Sequence, residues 1–239
     1  GLSSLNELRG RLDLLEYTGE GLDLSSMLAP IEEPAGWGRI GRRPIHKPLN
    51  YMTKMVSEWV SEVLEEDEIV YRDGPVASSE RALGTHLVGT LTRRSGKHTG
   101  AKRVKLHFGD GSIPGNGLGA FNADPVEILV DGGAQDGVGK SSFGGRITIL
   151  KGRNHQGVRV DGSVGKSFAY GAIGGRFLIQ GSADSRFCVR LSGADVILGG
   201  ELRVPVDDSL GMLATRANAK GYAFEYMTGG RAVVVGDPG

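Results

Sequence analysis

Short aliphatic runs recur through the second half of the chain, and glycines bound most of them: Ile147-Thr148-Ile149-Leu150, Phe177-Leu178-Ile179, Val196-Ile197-Leu198 and Ala232-Val233-Val234-Val235. Runs of this length between turn residues predict short, buried strands. Two of them belong to a longer match, in which Gly162-Ser163, Phe168, Gly174, Phe177-Leu178-Ile179 and Gly181 return nineteen positions on as Gly181-Ser182, Phe187, Gly193, Val196-Ile197-Leu198 and Gly200. A unit this small cannot bury its apolar side alone, so copies must stack on one another. The triplet Gly144-Gly145-Arg146 returns as Gly174-Gly175-Arg176 and Gly229-Gly230-Arg231, at spacings of 30 and 55 that are not multiples of nineteen. The excess predicts loops leaving a regular array, one over 151–156 and a larger one over 201–219.

The first half follows a different rule. Leu49, Met52, Met55, Val56, Trp59, Val60, Val63 and Leu64 keep helical spacing with Lys54, Ser57, Glu58, Ser61 and Glu62 largely opposite, which predicts an amphipathic helix. The acidic run at 65–68 opposes the helix dipole and is expected to end it near Leu64. A short helix is expected over 3–16 and another over 78–91. Between the first two helices, Pro30, Pro34, Pro44 and Pro48 dictate an extended path whose Trp37, Ile40 and Ile45 need something to pack against. Alternation at Val104, Leu106 and Phe108 marks 102–108 as the first strand. The expected organisation is a helical and extended arm over 1–103 and a single-stranded parallel β-helix over 104–239.

Composition narrows the picture. Of the 40 glycines, 28 fall after position 108, where the β-helix corners require tight backbone, including φ > 0. Acidic and basic residues balance at 28 each, so neither nucleic acid nor an anionic membrane is an expected partner. Without a long apolar segment or a secretory leader, the expected location is cytoplasmic. One cysteine, Cys188, forms neither an intrachain disulfide nor a cysteine-ligated iron–sulfur cluster.

Several motifs imitate active sites. Gly115-Asn116-Gly117-Leu118-Gly119-Ala120 fits a dinucleotide fingerprint, but Asn122, Asp124 and Pro125 follow where a helix must open, so a turn is expected. Gly139-Lys140-Ser141 and Gly165-Lys166-Ser167 resemble phosphate-loop ends. Each lacks the earlier glycine, Ala134 and Val160 standing there, and the two triplets are expected at equivalent corners of two repeats. His46, His86, His98, His107 and His155 share no metal-ligand spacing. Cys188, between Phe187 and Val189, is read as a small buried hydrophobe. Asp124, Glu127, Asp131 and Asp136 are the carboxylates that a polysaccharide-cleaving β-helix would have to pair, though aromatic content of 6% is thin for a sugar groove.

The run Gly221-Tyr222-Ala223-Phe224-Glu225-Tyr226-Met227-Thr228-Gly229-Gly230-Arg231 resembles the Glu-Tyr-Met-Thr-Gly-Gly signature of the C-terminal GXGXG domain of glutamate synthase large subunits. Three further segments agree in order: Gly117-Leu118-Gly119-Ala120-Phe121, Val138-Gly139-Lys140 with Gly144-Gly145-Arg146-Ile147, and Tyr170-Gly171-Ala172-Ile173-Gly174-Gly175 with 185–194. The resemblance is good over 105–239 and looser before it. It implies a right-handed parallel β-helix with a structural role. The motif residues it selects are Gly144, Gly145, Gly174, Gly175, Glu225, Tyr226, Met227, Thr228, Gly229 and Gly230, with no catalytic, cofactor or metal residue in this chain. It further implies partners, namely a glutaminase-type amidotransferase and an FMN-binding synthase that holds the FMN and the iron–sulfur cluster. Self-association is a further option. The chain would then be a non-catalytic scaffold subunit or domain of an oxidoreductase assembly that passes ammonia between partners in glutamate biosynthesis. The alternatives are an N-methylglutamate synthase or formylmethanofuran dehydrogenase C-like subunit, or a free-standing carbohydrate-active β-helix. Phe224 stands where the family usually has cysteine. A last repeat left uncapped would expose strand edges, so a partner or further chain is expected to cover it.

Overall fold

The computed structural model describes residues 3–8, 11–29, 47–63, 66–95, 103–199 and 219–236. It divides into two compact units, Gly1–Lys47 and Pro48–Gly239. In the first, the helix expected over 3–16 is replaced by two 3₁₀ turns, Leu5–Leu8 and Leu12–Leu14. Leu8, Leu14 and Leu15 are all exposed, so among the described residues no buried face supports an α-helix too short to persist alone. Residues 30–46, with Trp37, Ile40 and Ile45, lie outside the described residues.

The second unit opens with helix α1, Tyr51–Glu62, whose N-cap Asn50 accepts a 2.9 Å hydrogen bond from the Thr53 amide. Met52, Val56 and Val60 are buried, as the helical spacing requires. Strand β1, Glu68–Asp73, follows where the sequence reading has only the end of a helix, with Ile69 and Tyr71 inward and Tyr71 edge-on to Trp59 at 5.3 Å. Helix α2, Thr85–Ser95, starts later than the expected 78. Ala82 and Gly84 hold φ values of 54° and 87°, which an α-helix excludes. The Ala82 amide and the Leu83 carbonyl instead bond across to Asn116 and Gly119.

Seven strands form one parallel sheet. To β1 are added β2 (Arg103–Ser112), β3 (Val126–Gly132) and β4 (Phe143–Leu150); past the small antiparallel pair β5 (Gly152–Arg153) and β6 (Arg159–Val160), it continues with β7 (Gly174–Ile179), β8 (Ser192–Leu198) and β9 (Gly229–Val234). The order is β1-β2-β3-β4-β7-β8-β9, so each sheet strand lies beside its neighbour in sequence, and among the described residues the sheet is open with edges at β1 and β9. The sheet begins at Glu68, which pairs with Arg103 at the start of β2. Register reproduces the repeat read from sequence: Ile128 pairs with Ile147 and Phe177 with Val196, each nineteen apart, while Ile147 pairs with Phe177 thirty apart. The β5–β6 excursion accounts for the longer step. The other excess lies between β8 and β9, where 200–218 fall outside the described residues.

Two further lines of contact run beside the sheet. Ala134, Val164, Ala183 and Ala219 form successive parallel bridges. The turns preceding the later strands form the third line, with positive φ at every second residue: Gly137, Gly139 and Ser141, then Ser167, Ala169 and Gly171, then Arg186, Cys188 and Arg190, then Tyr222, Phe224 and Tyr226. In each turn the middle amide reaches back to the preceding repeat, as Gly139 to Leu118, Ala169 to Val138 and Cys188 to Phe168 at 2.8–2.9 Å. The flanking amides reach forward, as Gly137 to Lys166 and Ser141 to Tyr170, both at 2.8 Å. Between the left-handed positions, Leu118, Val138, Phe168 and Phe187 point into the core, and the last two rings stack at 5.5 Å.

This packing makes two tests. A Cβ on Gly132 would lie 2.0 Å from the Ser112 carbonyl oxygen, whereas one on Gly221 meets nothing within 4 Å. Gly132→Ala should lower the urea-unfolding free energy by more than about 2 kcal/mol, and Gly221→Ala should leave it within about 0.5 kcal/mol. Phe168→Ala removes a fully buried ring from the stack and should cost about 3–5 kcal/mol in the same measurement.

Candidate functional site

The Gly-Gly-Arg triplets converge on one surface feature. Each opens a strand at an irregular step, with register shifts between Phe143 and Arg146 and between Ser192 and Asp195. At the first glycine the preceding repeat passes too close for a side chain: a Cβ on Gly174 would sit 2.3 Å from the Phe143 carbonyl oxygen. The second glycine turns left-handed, φ 73° at Gly145, and a Cβ there would be 2.4 Å from the Val126 carbonyl. The third residue then points outward from the sheet. Register aligns these positions as a column that runs Lys105, Glu127, Arg146, Arg176, Asp195, Arg231 across six strands.

A cleft of about 610 Å³ lies over the middle of this column, lined by Arg103, Asp124, Glu127, Phe143, Arg146, Arg176 and Asp195, with bare backbone at Gly144, Gly145, Gly175 and Gly193. Its acids are already engaged. Asp124 accepts from the Gly145 amide at 2.9 Å, and Glu127 pairs with Arg103 at 3.0 Å, which also approaches Glu68 at 3.4 Å. Asp195 takes a two-point grip from Arg231, at 2.8 and 2.7 Å. That hydrogen bonding holds the Asp195 carboxyl below its ordinary range and raises the Arg231 guanidinium, as the Glu127 bond raises Arg103. Arg146 and Arg176, directly opposite each other, make no ion pair among the described residues.

The other sequence candidates do not gather here. Asp131 is bonded to His107 at 2.6 Å, and Asp136 accepts from the Lys166 amide at 2.8 Å, so the four carboxylates weighed for sugar chemistry have separate structural partners. The Gly-Lys-Ser triplets are not equivalent corners: the Gly137 amide bonds the Lys166 carbonyl, aligning Lys166 with Asp136 rather than with Lys140. Lys140 lies over the Tyr170 ring at 5.4 Å instead. The dinucleotide-like glycines form a turn, with Gly117 and Gly119 donating to Asp136 and Leu83. Cys188 is fully buried, and burial pushes its thiol pKa up, the opposite of an activated nucleophile. His86 bonds Ser57 at 3.2 Å, and His46 and His98 lie outside the described residues. Among the described residues no cluster of three His, Cys, Asp or Glu could hold a metal, and no helix is long and apolar enough to cross a membrane.

The 225–230 signature divides by role. Met227 packs against the core, and Gly229 and Gly230 repeat the strand-opening step. Thr228 donates its amide to the Leu191 carbonyl at 2.9 Å, and the Glu225 carbonyl accepts from Arg190 at 2.8 Å. Tyr226 stands out 75% exposed with the Arg190 guanidinium over its ring. Sequence reading picked out the glycines and passed over the arginines after them. The signal was present in the triplets, but only register shows that Arg146 and Arg176 are neighbours.

The Asp195–Arg231 pair yields a pH test. A carboxyl held low in the folded state supports the fold above its ordinary pKa, and that support is lost as pH falls through the folded value. In R231Q the Asp195 titration, followed by carbon-13 NMR, should move up toward the ordinary carboxylate range; an unchanged midpoint would remove Arg231 as the cause.

The model of the GXGXG motif family matches residues 52–239. The chain is 31% identical over 249 aligned residues to the glutamate synthase [NADPH] large chain of Azospirillum brasilense, covering 99% of this chain and 15% of that protein. It is 28% identical to the large chain of Bacillus subtilis, at 100% and 15% coverage, and 30% identical to glutamate synthase [NADH] of Schizosaccharomyces pombe, at 100% and 11%. The chain thus spans about a seventh or less of the length of these relatives. With the strand-opening glycine pairs and alternating turns lying inside the matched region, the chain belongs to the GXGXG motif family.

Proposed function

We propose that this chain is a non-catalytic scaffold of a glutamate synthase-related assembly, holding a glutaminase-type amidotransferase and an FMN-binding synthase in the geometry that passes ammonia between them. The observation that carries the reading is the alignment of the whole chain with one segment of glutamate synthase large chains. We further propose that its repeats wind as a right-handed parallel β-helix. Three parallel lines of contact support that winding, and the strong preference for right-handed connections between parallel strands supports its hand.

Among the described residues, the candidate cradles do not fit the assembly's prosthetic groups. An iron–sulfur cluster needs several thiolates, and the sole cysteine is buried beneath the repeats. A phosphate cradle needs free backbone amides, but Gly117, Gly119, Gly137, Gly139 and Ser141 donate theirs to neighbouring repeats. On this reading FMN, the cluster and the glutaminase nucleophile belong to partner polypeptides or domains. What this chain supplies is a stiff span on which they seat.

The test is reconstitution. The natural protein should co-purify with glutaminase and flavoprotein activities and support glutamine-dependent amination of 2-oxoglutarate, while this chain alone should hydrolyse no glutamine and oxidise no reduced cofactor. Flavin-dependent or glutaminase turnover by the chain alone would overturn the reading.

A further inference from the structure

Arg146 and Arg176 form an arrangement that is unfavourable as it stands. Like charges directly opposite on neighbouring strands repel, and each has a carboxylate as its other neighbour in the column: Glu127 beside Arg146 and Asp195 beside Arg176. Pairing in that order would neutralise both. The acids make their close pairings outward instead, Glu127 to Arg103 and Asp195 to Arg231, and Arg176 acts on Asp195 only by weaker charge attraction. The two central guanidinium groups remain exposed at the middle of the cleft.

We infer that this cleft is the docking site for an acidic segment of a neighbouring protein domain, which sets paired carboxylates on Arg146 and Arg176. Planar, two-point donors of this kind suit carboxylates. Three observations favour a protein segment over a small anion. Both arginines face water, where attraction for a free ion is weak until a covering surface excludes solvent. Phe143, at the cleft rim, is 60% exposed, and Ile173, its equivalent one repeat on, is 54% exposed. Such apolar surface beside arginine is the composition of an interface centre. The bare glycine backbone of the cleft floor also lets a chain approach closely. Nucleic acid fits poorly, since the chain balances 28 basic against 28 acidic residues and has no basic excess to track a phosphate backbone. The inference rests on the scaffold reading only in requiring a partner.

The test uses the natural protein in its native assembly. Phenylglyoxal should modify Arg146 and Arg176 at least tenfold more slowly than exposed Arg153, read by peptide mass spectrometry. In an R146K/R176K variant, carbodiimide should couple the two substituted positions to aspartate or glutamate of another domain or polypeptide. Modification at the Arg153 rate overturns the proposal. So does coupling only to this chain's own Asp124, Glu127 or Asp195. Protection without any coupled peptide marks a small anion and also overturns it. A coupled segment from a protein that is neither glutaminase nor flavoprotein keeps the docking site and overturns the scaffold function. An active assembly with freely modified arginines does the reverse.

Discussion

Every repeat of this protein depends on backbone hydrogen bonds that it cannot make by itself. A strand of six to ten residues and a turn of five leave most of their amides and carbonyls without local partners, and burying such groups unpaired is expensive. The neighbouring repeats supply the partners along three lines: the parallel sheet, the bridges at Ala134, Val164, Ala183 and Ala219, and the turns with alternating positive φ. The third line governs the others. Its middle amides reach back and its flanking amides reach forward, so each inner turn is hydrogen-bonded to the repeats on both sides of it.

That constraint explains residues that look misplaced. Left-handed backbone costs most residues about 1–2 kcal/mol, yet Arg186, Cys188, Arg190, Tyr222, Phe224 and Tyr226 all adopt it. In the two earlier turns glycine occupies half of these positions, Gly137, Gly139 and Gly171. In the later ones side chains are present at a cost that the contacting rings of Phe168, Phe187 and Phe224 help to offset. Phe224 holds the same left-handed position as Cys188 and packs edge-on against Phe187 at 5.7 Å.

Much of this was legible in the residues. The nineteen-residue echo gives the register of β7 on β8 directly, and the spacing of thirty between Gly-Gly-Arg triplets correctly implies an excursion after Leu150. Other features were hidden for physical reasons. Strand β1 escaped notice because its first residue closes an acidic run and only Ile69 and Tyr71 alternate inward. Helix α2 starts late because Ala82, a strong helix former, is held left-handed by Asn116 of a later turn. The Gly-Lys-Ser triplets matched by letter and not by place, since a 26-residue spacing falls short of the 30-residue step. The central arginine pair requires that step to be known before it can be seen at all.

A frame whose parts cannot form separately is suited to fixing distances between other bodies, which is the sense in which structure and proposed function meet. The claim beneath both is that the left-handed turns are as integral as the strands. Hydrogen exchange tests it directly, by comparing the amides of Gly139, Ala169 and Cys188 with those of Ile147, Phe177 and Val196. The account predicts that the two sets exchange together, at the rate of global unfolding. Turn amides that exchange freely while the strands stay protected would contradict it.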